Sequence, residues 1–358
     1  MSDLALVANR TKSFFVIRTE VIRQQSAAWK ASYGSIHPMI DFVATSQPEL
    51  LNELKKLGYK MYFNEKVYYD QVAPYLDKDG LVIADLSSNL AEEYLASLPK
   101  SGVSIVAVES VEDTTMYRDV LSDATFLLRV AASDNVFDCG CCKEEAVRSL
   151  EVAKEQGISL SSFLFLCPSA KEADVVVNLM ESLYEEAKAK EVFVDAMYVI
   201  GEGIQELAAQ TDAASRATFA KLQRLASHVS VSVDGSRFFI ANAYTIYTHI
   251  IGKKLKTNKE SRRILYYTDN GVYCSFFNAH IHKEPICPQP VTQRKLSGEL
   301  FDTTVFGPTC DSIDNLGDDF KLPELQIDDW LKYEGNGYRC SNYSARFNGF
   351  EDPDVIVV

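Results

Sequence analysis

No apolar run in this 358-residue chain is long enough to cross a bilayer as a helix. Its opening, MSDLALVANRTKSFF, lacks the basic start and the long apolar stretch of a secretory signal. The chain is therefore expected in the cytoplasm, where its eight cysteines stay reduced and a disulfide framework is excluded. Positive charge is also short, with 36 Lys and Arg against 50 Asp and Glu, a net charge of −14 and a pI near 4.9. That balance excludes a general binder of nucleic acid or of anionic membranes. It leaves small ligands, or a partner with a basic face. No internal period marks a solenoid, and no tract is of low complexity. What is present is ordinary for a globular protein: 47% hydrophobic and 24% charged residues, in a chain long enough for two domains.

Residues 13–18 read as a first strand. At Ser46-Gln47-Pro48-Glu49 a helix start is predicted, with Ser46 as N-cap, Pro48 in the first turn and Glu49 completing a capping box. Leu50, Leu51, Leu54 and Leu57 form its apolar face and Gly58 its stop. Short apolar runs follow at Leu81–Ala84, Val103–Val108, Thr125–Ala131, Leu160–Cys167 and Phe193–Ile200. Helical patterns lie between and after them, at about 89–99, 110–121, 143–156, 169–190 and 205–227. Near-continuous apolar strands alternating with helices mark a parallel sheet covered on both faces. Their number within about 200 residues points to a (β/α) barrel, with an open sheet as the alternative because strand order is not visible in sequence. From about residue 233 the pattern changes. Arg237–Asn242, Arg263–Tyr267, Val272–Phe277 and Asp354–Val358 read as strands of a mainly antiparallel β domain, which the first strand can join. The expected division is residues 28–232 for the barrel, with 1–27 and 233–358 forming a discontinuous β domain.

Several groups can carry chemistry, each with a plain structural alternative. Cys310-Asp311, in the Gly-Pro turn Phe306–Asp314, places a thiol beside a carboxylate, as a nucleophile or proton donor requires, or simply shapes a loop. The turn Ile200-Gly201-Glu202-Gly203-Ile204 lies between strand and helix, where glycines let backbone amides approach a phosphate, or merely turn the chain. Cys139-Gly140-Cys141-Cys142 precedes a helix, but no second Cys or His pair has zinc-site spacing, so no metal is expected. His280 and His282 share one face of a strand and read as solvated histidines. Arg129 and Arg237 sit at strand positions, as ligand anchors or as buried ion-pair partners.

The order of these pieces resembles the eukaryotic ornithine decarboxylases, pyridoxal-phosphate enzymes built from an alanine-racemase-type (β/α)8 barrel and a C-terminal β domain. The likeness is densest from Ser236 onward. It rests on Ala241–Leu255, on Asp269-Asn-Gly-Val-Tyr-Cys-Ser-Phe276, and above all on Gly307-Pro-Thr-Cys-Asp-Ser-Ile-Asp314. Asp329-Trp330-Leu331, Gly337-Tyr338 and Phe347-Asn-Gly-Phe350 follow in register. The family holds its cofactor through a lysine in a strand reading roughly Phe-Ala-Val-Lys-Cys-Asn. The corresponding stretch here is Met39-Ile-Asp-Phe-Val-Ala-Thr-Ser46, with Val43 in the lysine's place, and valine has no amine for a Schiff base. Leu166 stands where the family's ring-stacking histidine is expected. Glu202 interrupts the glycine triplet with a charge that opposes a phosphate. Asp234 stands for the acid that pairs with the pyridine nitrogen, Tyr62 replaces a carboxylate, and Asn270 replaces the substrate-binding aspartate. Arg129, Gly203, Arg237, Tyr338, Cys310 and Asp311 are retained, the last two as vestigial catalytic residues. Arg237, Gly203 and Tyr338 resemble phosphate contacts.

The resemblance therefore implies an inactive paralogue without the cofactor, which regulates polyamine synthesis by binding antizyme in the manner of the antizyme inhibitors. A second reading is a regulatory subunit that pairs with an active ornithine decarboxylase subunit and offers it Cys310 and Asp311. A third is a small-molecule sensor, or a catalyst of altered chemistry, in the old pocket. A homodimer is compatible with each. In the family antizyme binds a basic face of the barrel. Here the matching stretch, about Lys100–Leu128, holds Lys100 and Arg118 among Glu109, Glu112, Asp113, Asp119 and Asp123, which favours a basic partner over an acidic one.

Overall fold

A computed structural model describes residues 2–63, 82–85, 103–132, 140–210, 212–257 and 262–358. It divides into two compact units: Met1–Ile22 with Phe239–Val358, and Arg23–Phe238. Both divisions fall inside helices, Thr19–Tyr33 and Ser236–Ile240, so no glycine or proline punctuates them.

The first strand, β1 (Phe14–Ile17), belongs to the sheet unit. The other unit is a closed barrel of β2 (His37–Asp41), β3 (Lys60–Phe63), β4 (Val82–Asp85), β5 (Val103–Val108), β6 (Thr125–Val130), β7 (Leu160–Leu166), β8 (Ala196–Ile200) and β9 (Ser230–Asp234), in that order. Every neighbouring pair is parallel, including the closing pair of β2 with β9. Closure decides between the barrel and the open sheet. Alternate residues point inward, where Met39, Tyr62, Ile105, Ala107, Leu127, Leu164, Tyr198 and Ile200 pack into one core. The barrel is therefore filled rather than hollow. Lys60, at the start of β3, reaches across to the Tyr198 hydroxyl at 3.0 Å.

Three helical expectations change in detail. The helix Pro48–Lys56 takes Gln47, not Ser46, as its cap, and no side chain closes a capping box. Pro48 fixes φ and lacks an N–H at the first helical position, so the residue just before it becomes the cap. The pattern at 205–227 is two helices, Glu202–Ala209 and Ala213–Leu225, because the Asp212 carboxylate accepts from the Ser215 amide at 2.7 Å and starts a second helix. The pattern expected at 89–99 lies outside the described residues.

The sheet unit holds β1, β10 (Tyr244–Thr257), β11 (Arg262–Thr268), β12 (Gln289–Val291), β13 (Phe301–Phe306), β14 (Asn315–Leu322), β15 (Trp330–Glu334) and β16 (Asp354–Val357). Its order is β12-β15-β10-β11-β13-β14, with β1 lying between β10 and β16. All pairs are antiparallel except β1 with β16 and β11 with β13. Phe14 stacks on Tyr247 at 4.7 Å and meets the edge of Trp330, anchoring β1 in the unit's core.

Two expected strands are not strands. Arg237 lies in a single helical turn, Ser236–Ile240, because the Asp234 carboxylate accepts from both the amide and the hydroxyl of Ser236 and turns the chain as β9 ends. Val272–Phe276 is a π-turn running into the helix Phe277–Ile281, where Asn270 exchanges hydrogen bonds with Ser275. His280 and His282 therefore sit at a helix end, exposed, and share no strand face.

Candidate functional site

In a parallel barrel the loops after the strands gather at one end, where side chains from different strands can meet. Most of the barrel candidates are at that end. Asp41, Leu166 and Asp234 are the last residues of β2, β7 and β9, Tyr62 and Arg129 are next to last in β3 and β6, and Gly201 directly follows β8.

Asp234 is the hub. It is fully buried and accepts four hydrogen bonds. Ser236 supplies its amide at 3.0 Å and its hydroxyl at 2.5 Å to one carboxylate oxygen. The Tyr62 hydroxyl, at 2.5 Å, and the Gln205 side-chain amide donate to the other. Burial pushes the Asp234 acid up to about 6, the neighbouring Asp41 carboxylate pushes the same way, and the donors pull against both. Asp41 is tied into the same group. Its amide donates to the Ser236 hydroxyl at 2.7 Å, and its carboxylate accepts from the Val43 amide at 2.9 Å. Val43 lies in the short turn Phe42–Ala44 after β2, 4% exposed, and none of those three side chains carries an amine.

Beside this hub the helix Glu202–Ala209 begins directly after the β8 turn. Gly203 packs so tightly that a Cβ would overlap the Ser169 carbonyl group, so only glycine fits. Glu202 turns its carboxylate to Arg237, 2.9 Å from the guanidinium. Arg129 is buried in β6. Asp41 and Gln205 were not singled out from sequence. Asp41 had left a signal, a lone charge inside the apolar run Met39–Ala44. Gln205 had left none.

In the sheet unit the Cys310-Asp311 loop is braced from behind. Asp314, 1% exposed, accepts from the Val272 amide at 2.8 Å and the Thr309 amide at 2.9 Å. A Cβ at Gly307 or at Gly271 would overlap its carboxylate oxygen, so both positions need glycine. Asp311 accepts from the Ile313 amide at 3.0 Å and the Tyr273 hydroxyl at 2.7 Å, and these hold its acid below the usual carboxylate range. Cys310 stands exposed beside it. Tyr338 is buried in the same unit. Asn270 is buried and spent on Ser275. Cys139 lies outside the described residues, while burial pushes the Cys141 thiol up to about 12.

A filled parallel barrel with its polar residues at the strand ends, joined in one chain to a mixed, mostly antiparallel sheet, is the architecture of the fold-type III decarboxylases. The chain belongs to the pyridoxal-dependent decarboxylases: that family's profile, described as pyridoxal-dependent decarboxylase, C-terminal sheet domain, matches residues 14–337. It is 26% identical to the chloroplastic ornithine decarboxylase of Nicotiana glauca over 96% of this chain and 83% of that protein. It is 24% identical to antizyme inhibitor 1 of Pongo abelii, over 96% of this chain and 82% of that one. Among solved structures, SrLDC in complex with PLP and cadaverine superposes with a TM-score of 0.81 at 20% identity, covering 100% of this chain and 94% of that chain.

Family membership corrects one expectation. The sequence reading gave the chain no cofactor, but the family is pyridoxal-dependent and SrLDC was solved with PLP, so pyridoxal phosphate is the group that goes with this architecture. The described residues fit it only in part. Arg237, beside a helix N-terminus, supplies the cation and the dipole that a phosphate needs. The end of β2 supplies no amine for the aldehyde, and Asp234 already accepts four bonds from the chain itself. Among the described residues no helix is long and apolar enough to cross a membrane.

Proposed function

We propose that this chain is a non-decarboxylating member of its family that regulates polyamine synthesis by binding antizyme. The observation that carries the reading is the turn Phe42–Ala44 at the end of β2, which offers no amine in the stretch that resembles the family's lysine strand. The saturated carboxylate of Asp234 supports it, because a group satisfied by its own chain is not poised for a ligand. The chain's likeness to antizyme inhibitor 1 along nearly its whole length supports antizyme as the partner. Purified chain and antizyme are expected to form a stoichiometric complex at low salt, while ornithine, lysine and arginine release no carbon dioxide. Lack of a complex under those conditions, or steady turnover of any of the three amino acids, sinks the reading.

The braced loop favours a second role, as a regulatory subunit of an active decarboxylase. Cys310 is exposed while Asp314 and Tyr273 fix the backbone and the carboxylate beside it, the arrangement of a side chain meant for another molecule's site. In a mixed dimer with an active ornithine decarboxylase, Cys310→Ala is expected to lower the rate. An unchanged rate removes the loop from any role in the partner's site.

A further inference from the structure

At the barrel end the cationic side chain of Arg237 is already engaged. Its guanidinium lies 2.9 Å from the Glu202 carboxylate, with side chains 16% and 25% exposed, so the pair is largely withdrawn from water. Glu202 opens the helix Glu202–Ala209, where the helix dipole favours negative charge. Its carboxylate thus meets both demands that an anionic ligand would make there. The neighbouring positions have no such latitude. A Cβ at Gly201 would lie 2.7 Å from the Cys167 carbonyl oxygen, and one at Gly203 closer still to Ser169. Of the three residues in this turn, only position 202 has room for a side chain, and it carries one aimed at Arg237.

We propose that Glu202 is a built-in occupant of an anion position at Arg237, and that a phosphate group binds only by displacing it. A phosphate brought beside the Glu202 carboxylate in a site mostly shielded from water is repelled far more strongly than in bulk, so the two anions compete for the Arg237 guanidinium. A phosphate therefore sees only the fraction of molecules in which Glu202 has swung out, and its apparent affinity falls by that fraction. The same chemistry is presented by free phosphate and by the phosphate of pyridoxal phosphate. Glu202 is thereby the residue that sets how tightly this barrel holds either one, through the anchor rather than through the aldehyde.

The test compares the full chain with Glu202→Gln, which keeps the shape and removes the charge, and with Glu202→Gly. Dissociation constants are measured by calorimetry for inorganic phosphate, pyridoxal phosphate and pyridoxal. Both variants are expected to bind the two phosphate ligands about tenfold tighter or more, as displacement of a dominant closed state requires. Pyridoxal, which has no phosphate, is expected to show no change. A double variant, Glu202→Gln with Arg237→Met, is expected to lose the gain while keeping the neutral turn. Equal affinities in parent and variants overturn the proposal, and so does an equal gain for pyridoxal. Either failure leaves antizyme binding untouched, since that reading needs no ligand in the barrel.

Discussion

Asp234 makes the protein's stability depend on pH in an unusual direction. Its acid is raised to about 6 from an ordinary 3.8, so between those values the folded chain holds a proton that the unfolded chain releases. The stabilisation is fully present below the unfolded value and is lost as pH rises through the folded one. A rise of that size corresponds to about 3 kcal/mol. Urea midpoints are expected to fall from pH 4 to pH 6 for the parent, and to fall less for Asp234→Asn. A slope unchanged by the substitution would show that Asp234 is not the titrating group. Val43 offers a second test at this scale. Val43→Lys is expected to yield, with pyridoxal phosphate and borohydride, a stable adduct mapped by peptide mass to residue 43, while the parent yields none there. Absence of an adduct at residue 43 in the variant would contradict the reading of β2. Val43, Glu202, Asp234 and Arg237 were candidates in the sequence because each lies in or beside a stretch that resembles a family motif. The sequence did not show that Tyr62 and Gln205 spend their donors on Asp234, since partners from separate strands and helices meet only in the fold.

At the scale of the element, the Cys310-Asp311 loop owes its shape to a residue behind it. Asp314 is buried and accepts two backbone amides, so Asp314→Ala leaves them without a partner and is expected to cost roughly 2–4 kcal/mol. Gly307→Ala forces a methyl group into the same carboxylate and is expected to disturb the loop equally. Both variants should change the alkylation rate of the Cys310 thiol by iodoacetamide, while Ser312→Ala should not. A Cys310 rate identical in all of these would mean that Asp314 does not order the loop. The elements themselves were legible where apolar periodicity is undiluted: β5 and the helix Lys143–Gln156 begin and end where the pattern does. Legibility failed at Ser236–Ile240 and Val272–Phe276. Their aromatic, β-branched composition favours strands, but Asp234 and Asn270 capture nearby donors and turn the backbone instead.

At the scale of the whole molecule, charge governs encounter more than fold. With a net charge of −14, association with a basic-faced partner is expected to slow several-fold as salt is raised from about 50 to 300 mM, with little change in dissociation. Stopped-flow mixing with an active decarboxylase subunit, whose family carries a basic barrel face, measures this, and an on-rate insensitive to salt would exclude electrostatic steering. The alternation of strand and helix carried the barrel in the sequence, whereas its closure depends on β2 meeting β9, a pairing with no local signature. The pairing of β1 with β10 has a consequence in time. More than two hundred residues separate the partners, yet β1 is Phe-Phe-Val-Ile, buried at every position once paired. At about 5–20 residues per second, a ribosome leaves this sticky strand waiting roughly ten seconds to most of a minute for its neighbour. The barrel residues are made in that interval, so the strand needs cover, from a chaperone or from the nascent chain, before its sheet exists.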